Sequence, residues 1–186
     1  MTDSVRLPDP ERAIRVLPAG SAVILRDIDD ARRAALACRL APLCRRLRIR
    51  LLIASDWRLA CAVGADGLHL PETAARHGLR RWRTIRRRDW LVTAAAHSQA
   101  AVCRARAVGA DAVLLAPVFP TASHPDARTL GVTRFARWAW ASPVPVYPLG
   151  GIDAARARRL LPACVAGFAA IGALAGIPAK RPEGGR

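Results

Sequence analysis

The chain has 186 residues, of which 52% are hydrophobic, and it carries a net charge of +16 at pH 7. This hydrophobic content is enough for a packed core and excludes a disordered chain. No apolar run approaches the roughly 18 residues of a membrane span, and the N-terminus lacks a signal-peptide core, so we expect a cytoplasmic protein. The length favours one domain over residues 1–186, with residues 176–186 as a flexible tail.

Nearly all of the positive charge is arginine, because Lys180 is the only lysine. We interpret this skew as the codon bias of a GC-rich genome rather than as selection for phosphate contacts. The densest basic stretch, residues 79–90, interleaves Trp82 and Trp90 with arginines, and stacking plus charge is how single-stranded nucleic acid is held. A nucleic-acid partner is disfavoured but stays as an alternative to a solvated basic face.

The five cysteines are odd in number and form no C-x-x-C pair. This pattern argues against a disulfide framework or a zinc site. Each cysteine lies in a segment rich in alanine and leucine, so we expect all five to be small buried hydrophobic residues.

Short apolar runs bounded by Gly, Pro and Asp recur along the chain, which is typical of strands buried on both faces of a parallel sheet. The predicted strands are, in chain order, residues 21–26, 50–54, 66–70, 90–95, 111–116, 144–149 and 167–171.

Amphipathic helical patterns separate these runs. Asp56, Ser98 and Asp153 precede three of them as predicted caps, and Thr133 opens a fourth. Pro42 is expected to kink or end the helix that begins near residue 30. Two helices run into the same Gly-Ala-Asp turn, which indicates a repeating β–α unit.

Strict alternation of β and α elements predicts a parallel sheet with right-handed crossovers. No G-x-G-x-x-G opens a helix, which weakens a dinucleotide-binding alternative. We therefore predict an α/β fold, a (β/α)8 TIM-type barrel. Because seven strands are found where eight are needed, the first strand is expected to be lacking or incomplete.

Four motifs occur in a family-like order: GADGLHLPE (64–72), AAHSQAA (95–101), GADAVLLAPVFPTASH (109–124) and PLGGI (148–152). From residue 21 to about 175 the chain resembles thiamine phosphate synthase and its TenI-type relatives, a (β/α)8 barrel superfamily. In that family the first strand often ends in Thr-Asp, so Thr2-Asp3 is interpreted as its surviving tip.

The resemblance implies coupling of hydroxymethylpyrimidine diphosphate to thiazole phosphate, with Mg²⁺ as cofactor and pyrophosphate as leaving group. It also implies phosphate binding by loops at the carboxyl ends of the strands. The residues that match those loops are Thr121, Ser123, Gly150, Gly151 and Gly172. His124 and Arg26 are the predicted catalytic residues.

The chain departs from the family pattern at the pyrophosphate end. Ile24, Ile28 and Thr73 stand at positions that are polar in the family, and His124 replaces a lysine. Only Glu72 and Asp56 remain as weak candidates for the metal. The tautomerase branch carries a histidine where this chain has Pro117.

The first hypothesis is therefore a thiamine phosphate synthase-like enzyme with an impaired pyrophosphate site. The alternatives are a TenI-like thiazole tautomerase or a non-catalytic protein that binds a phosphorylated small molecule. A third hypothesis is anionic-polymer binding through residues 79–90. An incomplete barrel also leaves two strand edges, residues 21–26 and 167–171, so we expect a partner chain or the N-terminal segment to cover them. A homo-oligomer is the predicted state.

Overall fold

Six of the seven predicted strands form, and they pair in one parallel sheet whose spatial order is the chain order. The structure is a computed structural model that describes residues 1–26, 30–77, 86–121 and 127–174. Its strands are β1 Ala22–Leu25, β2 Arg50–Ala54, β3 Gly67–Leu70, β4 Leu91–Ala96, β5 Ala112–Leu115 and β6 Val146–Pro148. The predicted tail, residues 176–186, lies outside the described residues.

Helices connect consecutive strands. Their bounds are α1 Pro10–Arg15, α2 Asp30–Arg46, α3 Trp57–Ala62, α4 Glu72–His77, α5 Gln99–Ala107, α6 Gly131–Trp140 and α7 Ala154–Leu160, followed by a 3₁₀ turn at Gly172–Leu174. The predicted caps Asp56, Ser98 and Asp153 each accept a hydrogen bond from a backbone N–H in the first turn. The helix that was expected to open at Thr133 begins earlier, at Gly131.

Pro42 does not end its helix, because α2 continues through this residue to Arg46. A proline inside a helix removes one backbone hydrogen bond and costs about 3 kcal/mol. Leu40, Leu43 and Cys44 flank the proline and are buried in the core. Burial of this face against the sheet outweighs the local cost.

Successive side chains on a strand point to opposite faces, so the core that packs on the sheet has two parts, as in other barrels. The larger part lies between the sheet and the helices. A smaller cluster fills the concave side and contains Ile24, Leu52, Ala54 and Leu114. Ile24, which stands at a position that is polar in the family, therefore contributes an apolar side chain to the inside of the barrel.

The seventh predicted strand, residues 167–171, does not form a regular strand. The N–H groups of Ala166 and Ala169 donate to Val146 O and Pro148 O, both at 3.0 Å, so this segment runs beside β6. Pro148 has no N–H to return a hydrogen bond, which leaves the ladder incomplete.

The N-terminal residues occupy the mouth end of the missing first strand. Thr2 N donates to Ile24 O at 2.8 Å, and Met1 N donates to Ala170 O at 3.2 Å. The two facing edges, β1 and residues 166–170, are thus linked at one end. Below this link a cavity of about 810 Å³ lies between them, lined mainly by apolar residues. The prediction of a barrel incomplete in its first strand is confirmed.

The expectation for the cysteines is wrong for four of the five. Cys38, Cys61, Cys103 and Cys164 are exposed, and only Cys44 is buried. Cys38, Cys61 and Cys103 lie on helices and Cys164 lies in the loop after α7, so an apolar flanking composition did not determine the exposure of each cysteine.

No described helix has both the length and the apolar character needed to cross a bilayer.

Candidate active site

The carboxyl ends of the strands surround the mouth of the barrel, and a cavity of about 490 Å³ opens there. It is lined by five of the residues proposed from the sequence, namely Arg26, Thr121, Gly150, Gly151 and Gly172. Parallel strands end at the same edge, which explains why loops far apart in the chain meet here. Ser123 and His124 lie outside the described residues, and their roles stay predictions.

Gly150 and Gly151 follow β6 and pack against the loop that follows β5. Their φ angles are +95° and +63°. A Cβ on Gly150 would lie 2.9 Å from Pro117 Cα, and one on Gly151 would overlap Pro120 O. The two glycines therefore bring the two loops into direct backbone contact at the wall of the cavity.

Arg26 is held at the mouth by Asp3. The Asp3 carboxylate lies 3.1 Å from Arg26 Nη2 and 2.6 Å from Arg6 Nη2. Arg6 and Arg26 both line the 490 Å³ cavity, which is the larger of two cavities at the mouth. The hydrogen bond from Arg6 holds the pKa of Asp3 well below its usual range. The sequence motif suggested Asp3 only as the tip of a strand.

Arg156, on the first turn of α7, is a cavity residue that the sequence reasoning missed. Its Nη1 donates to Gly151 O at 2.9 Å, and its Nε lies 3.7 Å from Asp153. The guanidinium carbon is 5.6 Å from the centre of the Phe119 ring. A basic residue shortly after the Gly-Gly-Ile motif was the available signal.

His97 was not among the site residues proposed from the sequence, but it lines the larger cavity and a smaller one of about 210 Å³. Its Nδ1 donates to Ala116 O at 2.9 Å. In the neutral ring, that bond leaves the lone pair on Nε2. Its position directly after β4 was the signal, since this is where barrel residues reach the mouth.

His69, on β3, is a packed and hydrogen-bonded core residue. It is buried, and its Nδ1 is 2.9 Å from Thr93 Oγ1. Burial lowers its pKa to about 4, and the positive charges of the Met1 amino group and Arg26 add to this effect. His69 is therefore a neutral wall of the smaller cavity at pH 7.

The sequence profile described as thiamine monophosphate synthase, TMP-TENI, matches residues 6–174. The chain belongs to the thiamine monophosphate synthase family.

Relatives and solved structures agree with this family. The thiamine-phosphate synthase of Thiobacillus denitrificans is 35% identical over 182 residues, which cover 94% of this chain and 85% of the relative. That of Geobacillus kaustophilus is 32% identical, with 83% of this chain and 69% of the relative covered. The structure of thiamine phosphate pyrophosphorylase from Pyrococcus furiosus superposes with a TM-score of 0.75 at 25% identity, covering 96% of this chain and 86% of that one. The resemblance seen in the four motifs and the predicted fold are confirmed.

The carboxylates proposed for the family's Mg²⁺ already have partners. Asp56 accepts from Leu59 N at 2.9 Å and pairs with Arg33 at 3.2 Å. Glu72 accepts from His97 N at 2.9 Å, and its other oxygen lies 3.6 Å from Arg104. The part of the chain that the structure describes contains no group of three candidate ligands. Asp56 and Glu72 as placed do not fit a resident magnesium ion.

Thr73 and Ile28 are two further departures from the family pattern. Thr73 is exposed on α4, and Ile28 lies outside the described residues.

The basic stretch 79–90 is described only from Arg86 onward. Trp90 is buried in the core, so it cannot stack on a base. Arg86 hydrogen-bonds Gly109 O and pairs with Asp111 at 2.6 Å. Asp111 directly precedes β5, so this pair lies at the amino ends of the strands, opposite the mouth.

Proposed function

We propose that this protein is a thiamine-phosphate synthase, which joins hydroxymethylpyrimidine diphosphate to thiazole phosphate and releases pyrophosphate. One observation carries the proposal: the cavity at the mouth combines Thr121, Gly150 and Gly151 with arginines. Backbone groups of glycine loops, hydroxyls and guanidinium groups are the usual ligands of phosphate. Relatives named as thiamine-phosphate synthases align over nearly the whole chain.

The reaction breaks the bond between the pyrimidine methylene carbon and the diphosphate oxygen. A bond from the thiazole nitrogen to that carbon then forms, and the bonding pair of the first bond leaves with pyrophosphate. No proton has to move, so the site needs positioning and positive charge rather than an acid or a base. His69 suits such a site because it stays neutral.

Arg26 is the residue proposed to meet the leaving diphosphate. It lines both mouth cavities, so one guanidinium lies where two phosphorylated substrates would adjoin. Its charge would compensate the negative charge that grows on the departing oxygen. Asp3 keeps it oriented.

We propose that a magnesium ion binds only together with the diphosphate substrate. Mg²⁺ commonly keeps several waters and binds one or two carboxylates together with substrate phosphates. Glu72 is the carboxylate that lines the smaller cavity, and it would have to exchange its contacts with His97 N and Arg104 to hold that ion.

A non-catalytic phosphate-binding protein is the second candidate. It is favoured by the position of Ile24 inside the barrel and by the engaged carboxylates of Glu72 and Asp56. These features weaken the diphosphate end and leave the glycine loops intact. Cytoplasmic location and a homo-oligomeric state stay predictions.

Calorimetric titration and a turnover assay separate the two candidates. Thiazole phosphate and pyrophosphate are titrated separately with and without Mg²⁺, and product formation is followed with both substrates. We expect both ligands to bind and product to form, and Arg26→Gln to weaken pyrophosphate binding while Arg39→Gln, an exposed change on α2, does not. Binding of thiazole phosphate alone, with no product at stoichiometric protein, would establish the binding protein. Binding of neither ligand would reject both candidates.

A further inference from the structure

We infer that Arg156 binds the phosphate group of the thiazole substrate, supplying a permanent positive charge that the phosphate loop itself lacks. This inference rests on the proposed function. The loop sequence APVFPTASHPD (116–126) contains no lysine or arginine. A phosphate held there by hydroxyls and backbone groups would need its counter-charge from another element.

Arg156 lies at the wall where such a charge is needed. It lines the larger cavity together with Thr121, Gly150 and Gly151. Its Nη1 donates to Gly151 O at 2.9 Å, so the guanidinium sits directly against the glycine loop. A phosphate that contacts Gly151 would therefore lie within reach of this side chain.

The other two arginines of the cavity have a stronger local partner. Arg6 and Arg26 lie 2.6 and 3.1 Å from the same Asp3 oxygen. Arg156 is 3.7 Å from Asp153, and their side chains are 40% and 52% exposed. A long, solvent-screened pair contributes little, whereas an arginine can bind phosphate through two parallel hydrogen bonds. A phosphate would compete well for Arg156.

Two contacts fix the direction of this guanidinium before a ligand arrives. Besides the Gly151 carbonyl, the Phe119 ring lies 5.6 Å away and packs against its face. Arg159 contacts the same ring at 5.7 Å but does not line the cavity. Both arginines lie on α7 and contact the Phe119 ring, but only Arg156 lines the cavity where the ligand would bind. Arg159 is therefore a matched control.

The test compares Arg156→Gln, Arg156→Lys and Arg159→Gln by calorimetry against thiazole phosphate and against the unphosphorylated thiazole alcohol. Loss of a charge-assisted hydrogen bond is expected to weaken thiazole phosphate binding by about 10- to 100-fold in Arg156→Gln. Binding of the alcohol should not change. Arg156→Lys should recover part of the loss, and Arg159→Gln should bind like the original chain. The KM for thiazole phosphate should rise, while the KM for the pyrimidine diphosphate stays the same.

An equal loss for phosphate and alcohol, or an equal loss in Arg159→Gln, would mean that Arg156 only supports the loop, and would overturn the inference. If Arg156→Gln does not fold, Arg156→Met replaces it under the same expectations, because it keeps an apolar stem against Phe119. If thiazole phosphate binds, the Arg156 variant loses it and no coupled product forms, the inference stands and the proposed synthase activity fails.

Discussion

The carboxylate of Asp3 contacts two of the arginines that line the larger cavity. Without it, Arg6 and Arg26 would repel each other across the mouth, since both line the same 490 Å³ space. The contact also ties the chain before α1 to the end of β1. One residue thus serves the electrostatics of the site and the closure of the sheet.

The lowered pKa of Asp3 predicts a pH dependence of folding. An unfolded aspartate has a pKa of about 3.9, and the folded value lies below it, so between the two only the unfolded chain takes up the proton. The contribution of Asp3 is therefore complete above about pH 4 and is lost as the pH falls through the folded pKa. Urea unfolding of Asp3→Asn, compared with the original chain at pH 7 and pH 3, should show the larger difference at pH 7. An equal difference at both pH values would contradict this.

Gly151 predicts a steric effect at the site. Gly131 has nearly the same φ, +66° against +63°, but a Cβ there would meet open space. Gly131→Ala should cost only the conformational strain of about 1–2 kcal/mol. Gly151→Ala should cost at least about 1 kcal/mol more, because the methyl group overlaps Pro120 O. Chemical unfolding measures the stability of both variants. Equal losses of stability would show that the loops after β5 and β6 can move apart without an energetic cost.

At the scale of elements, Met1 and Thr2 make some of the hydrogen bonds that the missing first strand would make. Thr2 is buried, donates its N–H to Ile24 O and accepts from Arg26 N through its hydroxyl at 3.1 Å. Met1 continues the link to residues 166–170 on the other edge. The mouth is thereby closed where substrates would bind, while the lower part of the gap stays open as the 810 Å³ cavity.

Thr2→Val tests this link. The replacement keeps the shape but removes the acceptor of the part-buried Arg26 N–H, and the loss of such a hydrogen bond costs about 0.5–1.5 kcal/mol. Thr73→Val, on an exposed face of α4, serves as the control and should change stability little. Thermal and chemical unfolding are the measurements. If both variants are equally stable, the hydroxyl of Thr2 is not part of the closure.

Mutation of Asp56 distinguishes its two possible roles, as a helix cap or as a metal ligand. As a cap of α3 it can be replaced by asparagine, while Asp56→Ala should cost about 1 kcal/mol of stability. Turnover at saturating Mg²⁺ should be nearly unchanged in Asp56→Asn. A large loss of activity in a stable Asp56→Asn protein would restore Asp56 as a metal ligand.

At the scale of the whole molecule, the net charge of +16 will attract any polyanion. Because Trp90 is buried, single-stranded DNA is expected to bind through charge without stacking on this residue. With several phosphate contacts, the affinity should fall by roughly 10³-fold or more between 50 and 200 mM salt. Fluorescence anisotropy of a labelled oligonucleotide measures this. An affinity that hardly changes with salt would contradict contacts to the phosphate backbone, and with them the third hypothesis.

The sequence predicted the elements whose signals are local. Six strands and three aspartate or serine caps lie where their patterns place them, and the loops after β5 and β6 meet as parallel strands require. Features that depend on long-range packing could not be predicted from the sequence. The course of α2 through Pro42, the missing N–H of Pro148 opposite residues 166–169, and the pairing of Asp3 with Arg26 all depend on neighbours far away in the chain.

The link at Thr2 has a consequence for how ligand binding can be observed. The Thr2 amide joins the sheet edge, and Asp3 beside it holds two arginines of the cavity. A bound phosphate that orders those arginines would also order Asp3 and the neighbouring hydrogen bond from Thr2 N to Ile24 O. Local opening of this hydrogen bond would then become rarer. Hydrogen–deuterium exchange at the amide of Thr2 would then slow on ligand addition, without any contact between that amide and the ligand. The exchange rate of one backbone amide at the edge of the sheet can in this way show whether a ligand is bound at the mouth of the barrel.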